Sequence, residues 1–186
     1  MNIDDRKSAS DTVAFDAFRH LGITHIIYPV ENSGNTTLDK LDHFAGIDYF
    51  AMNNEGQLYG IASRNRFVSE ENPAIYEDFT VRYQSASGQA TECDKRASAI
   101  KDGYLYPMLT TQCWYSGSFF LCGASIKTKD LYSYLELYDY RCPVKTAPTG
   151  EKFYCVNWDD LRRTGYKINM VTSSFYNKLP MLPALV

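Results

Sequence analysis

The sequence predicts one mixed α/β (α+β) domain built on a central mixed β-sheet flanked by helices. Segments with apolar residues at helical spacing alternate with short runs rich in β-branched and aromatic residues, in the approximate order α, β, β, β, α, β, β, α, β, α. No internal repeat and no long linker divides the 186 residues. Hydrophobic residues make up 45% of the chain, enough at this length for a single core. The expected boundaries are one domain over 1–186, with a core over about 11–165 and an apolar tail over 170–186.

Val13, Ala17 and Leu21 recur at i, i+4 and i+8, which predicts a first helix capped by Ser8 or Ser10 and ended by Gly22. Residues 23–30 follow as a short apolar strand, then a turn-rich loop over 31–37. Residues 45–52 and 57–64, joined by Asn53-Asn54-Glu55-Gly56, read as a hairpin. It brings Asp48 and the stretch from Gly60 to Arg64 to one edge of a sheet. A third strand is expected at 79–84, then a helix in which Thr91 and Asp94 form a capping box. Cys93, Ala97 and Ile100 supply that helix with its apolar stripe, and Gly103 ends it. Residues 109–115 and 119–126 form a second hairpin around Ser116-Gly117-Ser118. Leu131, Tyr134, Leu135 and Tyr138 mark a helix from near Thr128, residues 153–156 a last strand, and Asn157 the cap of a short helix closed by Gly165.

Several function classes are disfavoured at once. No apolar run reaches the length of a membrane span, and the polar, charged start does not look like a signal peptide, so a cytoplasmic protein with no membrane partner is expected. Five scattered cysteines without a CxxC pair suit buried thiols in a reducing compartment, and three dispersed histidines do not suggest a zinc site. Glycine-rich phosphate loops and a GxSxG elbow are missing. The net charge of −3 opposes nucleic-acid binding by bulk electrostatics, yet it is unevenly spread. Residues 1–58 carry four Lys/Arg against nine Asp/Glu, and residues 127–167 carry eight against six. Fifteen tyrosines and ten phenylalanines fit strand packing first and base stacking second.

A leading helix, then Gly46-Ile47-Asp48 opening a strand, a turn, and a strand ending in the basic Arg64 resembles the PD-(D/E)XK nuclease superfamily over roughly residues 11–102. The resemblance implies a restriction-endonuclease-like core. It also implies a divalent metal, Mg²⁺ or Mn²⁺, held by the acid of the first core strand and an acid of the next, with a lysine two residues beyond that second acid. Asp48 matches the first acid. The second motif is altered, since aligning on Arg64 leaves Gly60 and Ala62, or Ala62 and Arg64, where an acid and a lysine belong. Glu92 and Lys95, on the first turn of the following helix, are candidates to replace them from a neighbouring element.

On that reading Asp48, Glu92 and Lys95 are catalytic, Asp48 and Glu92 ligate the metal, and Arg64, Arg66, Arg82 and Arg96 contact DNA or RNA. Each residue also has a plainer account. Asp48 suits a turn, Glu92 and Lys95 suit a helix-dipole acid with a local ion pair, and the arginines suit strand edges that discourage aggregation. The alternative function is a catalytically inactive interaction module, such as a phage or mobile-element protein that binds and inhibits a host factor. There the apolar tail would meet a protein partner or a second copy in a dimer.

Overall fold

The computed structural model describes residues 3–23, 26–30, 45–69, 74–174 and 176, with side chains described from Thr12 onward and not at Ile26. The loop expected at 31–37 and most of the tail, 177–186, lie outside the described residues. Four helices, one 3-10 turn and nine strands are described. The helices are α1 (Ile3–His20), α2 (Glu92–Asp102), α3 (Thr128–Tyr138) and α4 (Trp158–Arg163). The strands are β1 (Ile26–Pro29), β2 (Tyr49–Met52), β3 (Leu58–Phe67), β4 (Asp78–Gln84), β5 (Leu109–Ser116), β6 (Phe119–Lys127), β7 (Val144–Thr146), β8 (Lys152–Asn157) and β9 (Ile168–Thr172).

A six-stranded mixed sheet runs in the order β1-β2-β3-β5-β6-β9, and a separate three-stranded sheet in the order β4-β8-β7. Every pairing is antiparallel except β3 with β5. Two parallel strands need a crossover between them, and here the crossover carries β4 and α2. The mixed α/β class is therefore as expected, with three differences in detail. The strand read at 79–84 leaves the central sheet and founds the second one. β7 and β9 are strands the sequence did not suggest, and Met170 and Val171 of the expected tail belong to β9. The β2–β3 hairpin sits inside the sheet, covered by β1 on one side and β5 on the other, so Asp48 and Arg64 are not at an edge.

The elements form where local chemistry favours them. α1 buries Val13, Ala17 and Leu21 as their spacing requires, with Ala14 and Phe18 beside them, against Tyr49, Ile61, Cys113 and Tyr115 of the large sheet. The helix begins earlier than expected, so Ser8 and Ser10 lie within it instead of capping it. Thr91 and Asp94 form the reciprocal capping box, and Gly103 at φ 73° ends α2 in the left-handed conformation. At the first hairpin the Asn53 carboxamide oxygen accepts the Glu55 and Gln57 N–H groups at 3.0 and 2.9 Å.

Strand alternation in β5 sends Cys113 and Tyr115 toward α1 and Trp114 to the opposite face. On that opposite face a second cluster joins Trp114, Leu121 and Ile126 to Phe79 and Val81 of β4, Leu131 and Leu135 of α3, and Trp158 and Leu161 of α4. The large sheet is thus sandwiched between α1 and a layer made of the small sheet with α3 and α4. Among the described residues no helix is long and apolar enough to cross a membrane.

Candidate functional site

Where the small sheet and α2 meet the large sheet, a cleft of about 720 Å³ opens over Ala62, Ser63, Thr111 and Gln112. Asp48, Arg64, Arg82, Glu92, Lys95 and Arg96 all line it, so six of the seven residues singled out in the sequence converge. The seventh, Arg66, lines an adjoining cleft of about 340 Å³ together with Arg64, Asn65, Arg82 and Phe153.

The tripeptide Gly46-Ile47-Asp48 is explained residue by residue. Gly46 has φ +64°, and a Cβ there would lie 3.0 Å from Arg96 Nη2. Its lack of a side chain lets the Arg96 guanidinium donate to the Gly46 carbonyl at 2.9 Å. Ile47 is fully buried and fills the space above Gly60, where an added Cβ would be 2.8 Å from Ile47 Cδ1. Asp48 is pinned by its backbone between β1 and β3: its N–H donates to the Ile61 carbonyl at 3.0 Å and its carbonyl accepts from the Val30 N–H at 2.9 Å. Its Oδ2 accepts the Ser63 N–H at 2.6 Å.

Glu92 stands at the start of α2, its side chain 18% exposed. Both carboxylate oxygens face guanidinium groups, Oε1 accepting from Arg96 Nη1 and Oε2 from Arg64 Nη2 at 3.2 Å. Burial by itself would raise the Glu92 pKa, but the charges of Arg96, Arg64 and Arg82 outweigh it and hold the carboxyl below its ordinary value. Arg96 is buried in turn, and Glu92 keeps its pKa above the ordinary arginine value despite the desolvation.

Arg64 also donates from Nη1 to the Thr80 carbonyl at 2.8 Å and to Thr80 Oγ1 at 2.7 Å, and Arg66 Nη2 reaches the same hydroxyl at 2.9 Å. The Thr80 N–H and hydroxyl in turn donate to Gln112 Oε1, both at 3.1 Å. This chain of bonds fastens the small sheet to β5. Burial and the nearby charge of Arg64 push the Arg66 pKa down to about 10, so Arg66 still carries its charge at neutral pH. Arg82 is more open and pairs with Glu151 at 2.5 Å.

These contacts do not fit the pair of magnesium ligands implied by the family resemblance. A hard cation needs carboxylate lone pairs turned toward it, and both Glu92 oxygens are turned to arginines. Across the two clefts five cationic side chains oppose three carboxylates, a donor-rich surface that suits an anion better than a cation. A thiolate nucleophile is equally unsupported, because burial pushes Cys93, Cys142 and Cys155 up to about 11 and Cys122 up to about 12.

Ser63, Thr80, Gln112, Glu151 and Phe153 also belong to this surface and carried no motif. The signal that could have pointed to them is the polar Gln112 inside the strand-like run 109–115, which the structure buries. Comparison with protein-family models, curated proteins and solved structures finds no match for this chain. The chain is thus a mixed α/β protein with an arginine-lined cleft between two sheets.

Proposed function

We propose that this chain binds DNA or RNA through backbone phosphates in the arginine-lined cleft and does not cleave it. The observation that carries this reading is the convergence of Arg64, Arg66, Arg82, Lys95 and Arg96 on two connected clefts while Glu92 is consumed by ion pairs. Guanidinium forks match phosphate geometry with paired N–H donors and stay charged even when partly buried. The overall charge of −3 argues against a large sequence-independent footprint, so contact is confined to the cleft and involves a few phosphates.

The test is fluorescence anisotropy with labelled DNA and RNA across a salt series, alongside incubation of the same oligonucleotides with Mg²⁺ or Mn²⁺. Saturable binding that weakens with salt, is reduced in Arg64→Ala and Arg82→Ala, and leaves the strands intact supports the reading. Mg²⁺-dependent cleavage abolished by Asp48→Ala overturns it in favour of an active nuclease. No binding of either nucleic acid overturns it altogether.

A further inference from the structure

Phe153 lies on the face of the small sheet opposite the one that carries Phe79, Val81 and Val156. In the β4–β8 ladder Arg82 lies opposite Phe153, and in the β7–β8 ladder Lys145 lies opposite Phe153. Directly opposed residues share a face, so Arg82, Phe153 and Lys145 form a row across the three strands. The other face of the same strands carries Phe79, Val81 and Val156 into the core. Among the described residues Phe153 belongs to none of the hydrophobic clusters and no ring stacks on it, while it lines the smaller cleft half-buried. A half-buried apolar ring beside Arg82, outside every hydrophobic cluster of the described residues, is poorly explained by folding alone.

The two clefts adjoin each other. Arg64 and Arg82 line both, so a phosphate backbone gripped in the larger cleft leads directly to Phe153 in the smaller one. Arg66 borders the same small cleft with a buried Nε–H that finds no acceptor among the described residues. Resting on the nucleic-acid reading above, we infer that the smaller cleft is a nucleobase subsite: one unpaired base stacks on Phe153 while Arg82 and Arg64 hold the flanking phosphates. The ligand is accordingly single-stranded DNA or RNA, because a base within a duplex has both faces covered by its neighbours and offers none to the ring.

Stacking on one aromatic residue is worth roughly a five- to 150-fold change in affinity. The experiment is fluorescence anisotropy of the full chain with four labelled ligands of about 16 nucleotides: oligo(dT), oligo(rU), a fully abasic strand and a duplex. Wild-type protein is expected to bind the base-bearing single strands about tenfold or more tighter than the abasic strand and the duplex. Phe153→Ala removes that preference but keeps the abasic affinity and the salt slope, Phe153→Leu behaves like Phe153→Ala while retaining apolar bulk, and Phe153→Tyr restores the preference. Arg82→Ala weakens every ligand and flattens the single-strand salt slope by about 0.7. If Phe153→Ala and Phe153→Leu bind oligo(dT) as wild type does, or the duplex binds as tightly as the single strands, the base subsite is refuted and phosphate binding stands. If none of the four ligands binds, the nucleic-acid reading fails and the subsite with it.

Discussion

Replacing Glu92 by glutamine tests the electrostatic core of the site. The side chains of Glu92 and Arg96 are 18% and 8% exposed, so their ion pair is largely withdrawn from water, whereas Arg64 is 33% exposed. Removing one partner of a buried pair costs about 3–5 kcal/mol, mostly because the surviving charge stays buried without compensation. The Arg64 contact is nearer the surface and adds only about 0.2–1 kcal/mol. Glutamine keeps an acceptor oxygen for Arg96, so the lower part of the range applies, about 3 kcal/mol. For a chain of this size that corresponds to a fall in Tm of about 6–12 °C, read by circular dichroism at pH 7.

The same substitution has a pH signature. Arg96, Arg64 and Arg82 hold the Glu92 carboxyl below its unfolded value of 4.5, so the folded state binds fewer protons there than the unfolded state. Its stabilisation is present above that value and is lost as pH falls through the depressed folded value. Glu92→Gln therefore flattens the acid limb of the stability curve. Replacing Arg96 by methionine in the same chain removes the orphaned charge and recovers part of the loss, though Gly46 then loses its donor. On the binding reading the cleft becomes more positive, and oligonucleotide affinity rises in Glu92→Gln. A destabilisation below about 1 kcal/mol with an unchanged acid limb would refute the claim that Glu92 holds Arg96 in place.

Three further outcomes follow from the geometry. Gly60→Ala drives a Cβ to 2.8 Å from Ile47 Cδ1 and Cγ1, and is expected to cost about 1–3 kcal/mol in urea unfolding, with Ile47→Val as a partial rescue; an unchanged midpoint would show that the Ile47 side chain simply turns aside. Asp78 is buried, which raises its pKa, while the charges of Lys145 and Arg66 only partly offset the shift. An acid raised on folding favours the protonated folded state, so its contribution is fully present below the unfolded value and is lost as pH rises through the folded one. Asp78→Asn should therefore flatten that decline, seen in urea melts across the acid-to-neutral range, and a steeper decline would contradict the assignment. Thr91→Ala breaks the capping box of α2 and is expected to cost about 0.5–2 kcal/mol, and because α2 carries Glu92 and Arg96, oligonucleotide affinity should weaken with it.

Local chemistry was legible in the residues themselves. The Thr91–Asp94 box, Gly103 as a stop, the Asn53 turn, the Ser116-Gly117-Ser118 turn and the Asn157 cap are decided by neighbours within a few positions, so periodicity and turn residues locate them. The stripe of Val13, Ala17 and Leu21 likewise announced a helix with one buried face. β7 escaped notice because its three residues are held by β8 more than by their own composition, and β9 because it lies in the stretch read as an apolar tail and is set by pairing with β6.

Periodicity, turn residues and caps were enough to read the mixed α/β class, most element boundaries, and the grouping of Asp48, Glu92, Lys95 and the four arginines as residues of interest. What those groups do to one another was set by long-range packing. The pairing of β4 with β8 brings Arg82 to the Glu151 carboxylate from 69 residues away, and α2 sets Glu92 against Arg64 from 28 residues away. Whether a carboxylate meets a cation from solution or a guanidinium from its own chain depends on such long-range placement. Coulomb energy depends on distance in space and on burial, and neither follows from spacing along the chain.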